Sequence, residues 1–468
     1  MEAKKKSSFT CSLGFVLAAA GSAVGVGNIW RFPYLAARDG GGLFILVYLG
    51  LVLTFGFTLL TTDIAIGRRT GSNAWEAFGQ MHSKWGFLGK VTFLVPVIIM
   101  TYYSVIGGWI LKYAAVYVTG HAQQAAQEGF FTSFITSQAA PVVFMLIFLT
   151  MTALVVYGGV EKGIEKFSVF IMPCLLLVVI AVAIYTMTLS YTTDTGVTRT
   201  GLQGLMMYLK PNFEGLTVSR FLNILLDAMS QMFFSLSVSM GIMITYGSYV
   251  KKDVNLSKSI YQIGLFDTGV ALLAGAMIVP AIYVFSGIDG MAQGPSLMFV
   301  SLPKVFQSMG AAGPIVGAMF FLMLLFAALT SCISIMETLV STCMNIFHTT
   351  RKKTSLVIAL IFGAAAVVIC LGYNVFYFEL ELPNGNPAQL LDVMDYVSNS
   401  FLMPLIAFLT AVFVGWVIKP HWIEEEMRVG NEGFKQTAIY GFMVRYVVPV
   451  IMAVLFVQST GLLNKFLL

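Results

Sequence analysis

The chain has 468 residues, 58% hydrophobic and 10% charged, with a formal net charge of +5 and a mean hydropathy of +0.85. That balance excludes a soluble globular protein of this length and points to a polytopic membrane protein. The basic excess does not call for nucleic acid, because in such a chain the placement of Lys and Arg matters more than their sum.

The opening MEAKKKSSFTCS is like the charged region of a signal peptide, but the apolar run after it outlasts an h-region and has no clear cleavage site. It reads as a retained first span. A window of about 20 apolar residues, enough to cross a ~30 Å hydrocarbon core, finds further spans along the whole chain. Their limits are 12–37, 41–67, 88–119, 140–158, 164–189, 219–249, 258–286, 313–347, 355–373, 389–418 and 437–463, numbered here 1 to 11.

Lys4, Lys5, Lys6, Arg68, Arg69, Lys162, Lys166, Lys251, Lys252, Arg351, Lys352, Lys353 and Arg428 fall on one side, which is therefore expected to be cytoplasmic, with the amino terminus inside. Loop 121–138 has no Lys or Arg, and 378–395 is net acidic. The segment 287–310 is expected as a helical hairpin over the outer face. Cys11, Cys174, Cys332, Cys343 and Cys370 show no metal spacing and read as packing residues, and His82, His121, His348 and His421 suggest neither a metal nor a proton relay. No GxxxxGK[ST] loop occurs, which argues against ATP-driven transport.

Span 1 is interrupted at GSAVGVGNIWRFP (21–33), where Gly21, Gly25, Gly27, Asn28 and Arg31 stand in an otherwise apolar run. Backbone leaves helical geometry at membrane depth only where protein or a water-filled cavity covers it, so a binding role is expected. In span 6, Ser235, Ser237, Ser239, Gly241 and Gly247 form a second interruption. Close helix packing is the plain explanation for such small residues. The two interrupted spans each open a block of five, however, and paired interruptions mark the midplane site of inverted-repeat transporters.

GSAVGVGNIWRFPY (21–34), DGGGLF (39–44), FFSLSVSMG, ITYGSY (244–249) and ALTSCISIME (328–337) resemble the neurotransmitter:sodium symporters, and among them the prokaryotic amino-acid members. The resemblance implies an all-α polytopic membrane protein with a leucine-transporter (LeuT-like) fold in one domain. It would have about eleven spans and a five-plus-five inverted repeat (12–189 and 219–418), helices 1 and 6 being discontinuous and 437–463 an additional helix. It further implies a non-enzymatic, sodium-coupled symporter of amino acids in the plasma (cytoplasmic, or inner) membrane. One Na+ would take the Ala23 carbonyl, Asn28, Ser235, Asp267 and the substrate carboxylate; a second would take carbonyls of Gly21, Val24 and Ala327 with the hydroxyls of Thr330 and Ser331. Sodium is a hard cation and prefers such oxygen ligands.

The substrate would meet Ala23, Gly27, Ile99, Tyr103, Phe234, Ser235, Ser237, Met240, Ser331 and Ile335. The largely apolar lining and the adaptable Met240 favour a range of hydrophobic amino acids. Arg31 and Asp395 resemble an outer gate above Tyr103 and Phe234. At the inner end the family's arginine, aspartate and tryptophan are replaced by Lys6, Asn345 and Phe9, leaving that latch unassigned. Gly163 and Pro173 in span 5 match a spacing that lets its cytoplasmic half unwind. Asp267 stands where many relatives bind chloride beside an Asn, and Ala271 replaces a serine, so chloride is expected not to be required. Other classes compatible with the composition are an amino-acid sensor without transport and an ion channel; a membrane enzyme is least consistent, since no nucleophile and base or carboxylate pair shares a span.

Overall fold

The computed structural model describes residues 8–193, 196–287, 290–291, 295–383, 387–429, 434 and 436–460. Among them, continuous apolar helices cover Gly42–Thr70, Ser83–Val118, Ala140–Tyr157, Val160–Met187, Leu256–Ser286, Gly310–Phe347, Arg351–Leu371, Leu390–Val417 and Thr437–Ser459, which are spans 2 to 5 and 7 to 11. Span 1 is a pair of helices, Ser12–Ala23 and Val26–Arg38, bent by 55° at their junction. Span 6 is also two pieces, Val218–Ser235 and Ile242–Gly247, separated by a non-helical stretch. The chain is thus an all-α polytopic membrane protein in which the first and sixth spans are discontinuous.

The polar character of span 1 follows from its position. From Gly14 to Ala23 every residue is buried, and this half-helix packs against spans 5, 7 and 8. It faces protein rather than lipid, so its broken backbone is tolerated. Lipid-facing spans look different: in span 4, Val143, Ile147 and Leu154 are exposed, as they are expected to be on a hydrocarbon-facing surface.

Spans 2 and 6 approach more closely than any side chain would allow. A Cβ added to Gly67 would lie 1.9 Å from the Ile244 carbonyl, and one added to Gly247 would lie 2.4 Å from that of Ile64. Small residues let two backbones meet in this way, and here they fix the second half of span 6 against span 2.

Outside the spans, Ser190–Thr192 and Thr198–Thr200 form an antiparallel hairpin. It feeds a helix, Gly201–Leu209, that lies on span 7. Thr200 caps it: Gln203 N–H donates to the Thr200 hydroxyl at 3.3 Å, and Thr200 N–H donates to the Gln203 side chain at 3.0 Å. This is a capping box, and the T-x-x-Q spacing that signals it went unread in the sequence. The stretch 287–310, expected as a helical hairpin, is described in part. Its described part is one helical segment, Leu297–Ser301 running into Leu302–Ser308, laid on span 8 with Leu297, Met298, Phe299 and Phe306 inward. Residues 288–289 and 292–294 of that stretch, and 461–463 of the expected last span, lie outside the described residues.

Gly67→Ala should therefore lower the thermal unfolding temperature of the purified protein, overpacking costing about 1–3 kcal/mol. Gly264→Ala, where nothing lies within 4 Å of the added Cβ and alanine favours helix, should not lower it. Equal melting curves for the two variants would refute the close contact.

Candidate functional site

The breaks in spans 1 and 6 face each other, and a small cavity of about 40 Å3 lies between them. Its lining includes Ala23, Gly27, Asn28, Ile99, Tyr103, Phe234, Ser235, Ser237, Met240, Ser331 and Ile335. All ten residues expected to touch a substrate are therefore gathered at one place. Tyr102 and Ser22, which the sequence reading did not single out, also line it.

Each break is held by side chains that replace lost backbone partners. At span 1, Gly25 N–H donates to Asn28 Oδ1 at 3.0 Å, capping the second half-helix. The Ser331 hydroxyl of span 8 lies 3.1 Å from the Ser22 carbonyl, 3.4 Å from that of Val24 and 3.5 Å from that of Gly21. The Ser237 hydroxyl donates to the Ser22 carbonyl at 2.9 Å, which ties the two breaks directly. At span 6, Ser237 and Ser239 carry φ of +52° and +61°. Such left-handed backbone is uncommon outside glycine and persists only when its surroundings enforce it. Here Asp63 of span 2 does so, its Oδ2 accepting Ser239 N–H at 2.8 Å in a buried position. Asp63 was missed, although a carboxylate in the apolar run TLLTTDIAIG carries the same signal that singled out Asp267.

Asp267 lies beside the cavity, fully buried. Its Oδ1 accepts from Asn28 Nδ2 at 2.8 Å and from the Ser235 hydroxyl at 2.8 Å, and Ser235 also reaches Oδ2 at 3.0 Å. Among the described residues no Lys, Arg or His pairs with it. The hydroxyl of Tyr48, also buried, lies close to Ser235 and Asp267. Carboxylate, amide and hydroxyl oxygens without sulfur or imidazole are the donor set of a hard monovalent or divalent cation, so these residues fit sodium. A second oxygen cluster sits where span 8 crosses span 1. There the Thr330 hydroxyl donates to the Ala327 carbonyl at 3.0 Å, beside Ser331 and the Gly21 and Val24 carbonyls.

The Tyr103 hydroxyl meets the Val26 backbone N–H and Ser331. Phe234 covers Gly27, whose added Cβ would lie 2.6 Å from the ring. Beyond Phe234 opens a vestibule of about 300 Å3 whose walls include Arg31, Asp227, Ser230, Asp395 and Asn399. Arg31 and Asp395 share it without a direct ion pair: Arg31 Nη2 donates to Ser230 at 2.8 Å, and Asp395 accepts from Asn399 Nδ2 at 2.6 Å.

At the basic end of the bundle, Lys6 lies outside the described residues, and the contacts that close this end involve other groups. Glu337, fully buried, is paired with Arg351 and accepts from the Tyr249 hydroxyl at 2.7 Å. Phe9 N–H donates to the Tyr249 carbonyl at 3.1 Å, and its ring packs on Phe15, Tyr246 and Tyr249. Arg68, buried, is paired with Glu426 at 2.7 Å, and Lys252 joins the same carboxylate at 2.7 Å. Span 5 is helical through its expected unwinding segment, with a π-helical turn at Val160–Glu165 and Pro173 inside the following helix.

Comparison with known proteins places this geometry. The model of the sodium:neurotransmitter symporter family matches residues 6–128 and 131–465. A Bacillus subtilis (strain 168) protein described as the uncharacterized sodium-dependent transporter YhdH is 33% identical over 99% of this chain and 100% of its own length. The human sodium- and chloride-dependent GABA transporter 2 is 24% identical over 86% of this chain and 71% of its own length. The crystal structure of MhsT in complex with L-phenylalanine has a TM-score of 0.83 and 33% identity, covering 97% of this chain and 99% of that one. The chain belongs to the sodium:neurotransmitter symporter family, whose members are transporters and not enzymes.

Asp63→Ala should release the span 6 linker. We expect faster amide exchange at 236–241 and a loss of stability of about 1–3 kcal/mol, the scale for a buried donor left without its acceptor. Unchanged exchange there would show that Asp63 does not hold the break.

Proposed function

We propose that the protein is a sodium-coupled symporter that imports hydrophobic L-amino acids by alternating access, without requiring chloride. The observation that carries the reading is Asp267, a fully buried carboxylate with two polar side-chain partners and no cationic one among the described residues. A buried anion is costly unless a cation neutralises it, and bound sodium supplies that charge. One sodium would sit among the Ala23 carbonyl, Asn28, Ser235, Asp267 and the substrate carboxylate. The other would sit among Gly21, Val24, Ala327, Thr330 and Ser331.

An α-amino acid suits the remaining chemistry. Its carboxylate would meet the amide end of the second half of span 1, at Val26 and Gly27, together with the Tyr103 hydroxyl that now meets Val26 N–H; helix amino ends favour anions. Its ammonium would turn to carbonyls at the ends of the first halves of spans 1 and 6. The side chain would lie against Ile99, Phe234, Met240 and Ile335, whose apolar character supports hydrophobic substrates. That MhsT, similar over nearly its whole length, is described in complex with L-phenylalanine supports the same class. Arg31 and Asp395 would close the vestibule above Phe234. The basic residues gathered at the opposite end support a cytoplasmic placement of the amino terminus in the plasma membrane.

Purified protein in liposomes should accumulate labelled leucine and phenylalanine when sodium is higher outside, with the same rate after gluconate replaces chloride. Asp267→Ala should weaken sodium-dependent binding by at least about tenfold, or ~1.4 kcal/mol. Stimulation of the unaltered protein by chloride at fixed sodium, or full activity of Asp267→Asn in chloride-free buffer, would refute the role given to Asp267.

Met240→Phe should shrink the side-chain subsite and disfavour phenylalanine relative to alanine by roughly tenfold, overpacking costing ~1–3 kcal/mol. An unchanged rank order of competing amino acids would remove Met240 from the pocket.

A further inference from the structure

We propose that Glu165 is a positioning residue of the transport cycle, a carboxylate clasp that binds the first half of span 1 to the π-helical turn of span 5 so that the two move together. The proposal rests on the alternating-access reading above, because it concerns how the half-helix carrying Gly21 and Val24 is released.

Glu165 is 4% exposed and closes the π-helical turn Val160–Glu165. Its carboxylate receives the amino end of span 1: Thr10 N–H donates to Oε2 at 2.8 Å, the Thr10 hydroxyl donates to Oε1, and Cys11 N–H donates to Oε1 at 3.4 Å. Charge-assisted bonds of this kind are about twice as strong as neutral ones, and a helix amino end favours the anion. Gly14 makes the approach possible, since a Cβ there would lie 2.0 Å from Oε1.

A second contact repeats the arrangement further along. Met172, next to Pro173, comes against Gly21, where an added Cβ would lie 3.0 Å from its sulfur. Glu165 and Met172 are separated by about two helical turns, as are Gly14 and Gly21, so spans 1 and 5 are in register along one seam. The segment between Gly163 and Pro173 therefore touches the half-helix at both of its ends.

The consequence is mechanical. If the half-helix left while span 5 kept its shape, Glu165 would lose the Thr10 and Cys11 donors and stay buried without replacements for them, which is unfavourable for a buried carboxylate. If span 5 opens at its π-helical turn, water reaches the carboxylate and the cost disappears. Movement of span 1 and reshaping of 160–172 are then one event rather than two.

The test is amide exchange on the purified full-length protein, with no substrate and no gradient, so its outcome does not depend on whether amino acids are carried. Glu165→Gln turns one acceptor into a donor facing Thr10 N–H, and Gly14→Ala forces the carboxylate away from the other side. Both variants should speed exchange at least about fivefold in 12–23 and in 160–172 together, local opening being read directly by exchange. Glu165→Asp, which keeps the charge, should fall between them and the unaltered protein. A response confined to one segment, or none in either, overturns the clasp. Should Glu165→Gln fail to fold, Gly14→Ala and Thr10→Val decide the matter by the same readout.

Discussion

Backbone that leaves a helix in the middle of a membrane bundle must find its hydrogen bonds from side chains, and this requirement organises the molecule. Span 1 gives up its ladder at Val24 and Gly25, and the missing partners come from Asn28, Ser237 and Ser331. Span 6 gives up its ladder between Ser235 and Ile242, and Asp63 supplies one partner there. These suppliers come from spans 1, 2, 6 and 8. The breaks therefore hold the surrounding spans in place as much as the spans hold the breaks.

The same requirement places the polar site. Groups that satisfy broken backbone are oxygens and amides at bilayer depth, and oxygens there also serve a hard cation. Asn28 joins the two: its Oδ1 accepts from Gly25 N–H while its Nδ2 donates to the Asp267 carboxylate. Ser331 likewise reaches three carbonyls of span 1 with one hydroxyl. A cation bound among these atoms, as proposed above, would substitute for those hydrogen bonds and so tie ion binding to the geometry of the breaks.

The spans were legible because hydropathy is a local property: 258–286 was expected where Leu256–Ser286 is found, and 313–347 where Gly310–Phe347 is found. The interruptions at 21–33 and 231–249 were legible for the same reason, as polar residues in apolar runs. The individual roles came from the family resemblance and not from composition. What escaped were residues whose meaning depends on a distant partner. Glu165 and Thr10 are separated by most of the first half of the chain, and Glu337 gains its significance only when Arg351 and Tyr249 fold onto it. Asp63 needed only the rule already applied to Asp267. Within 287–310 the turn signals are ambiguous, since Pro303 stands in the first turn of the helix Leu302–Ser308, where proline is tolerated.

The two ends of the bundle resist opening by different physics. At the basic end, Glu337 with Arg351 and Glu426 with Arg68 are buried ion pairs, and breaking such a pair by separating one partner costs about 3–5 kcal/mol. At the other end the vestibule reaches down to Phe234, and Arg31 holds a serine rather than a carboxylate. Displacing one aromatic ring and one hydroxyl contact is a smaller cost than stranding two buried charges. Access to the central cavity is consequently easier from the vestibule side, and passage to the basic end requires that water or a rearranged backbone first accommodate the carboxylates.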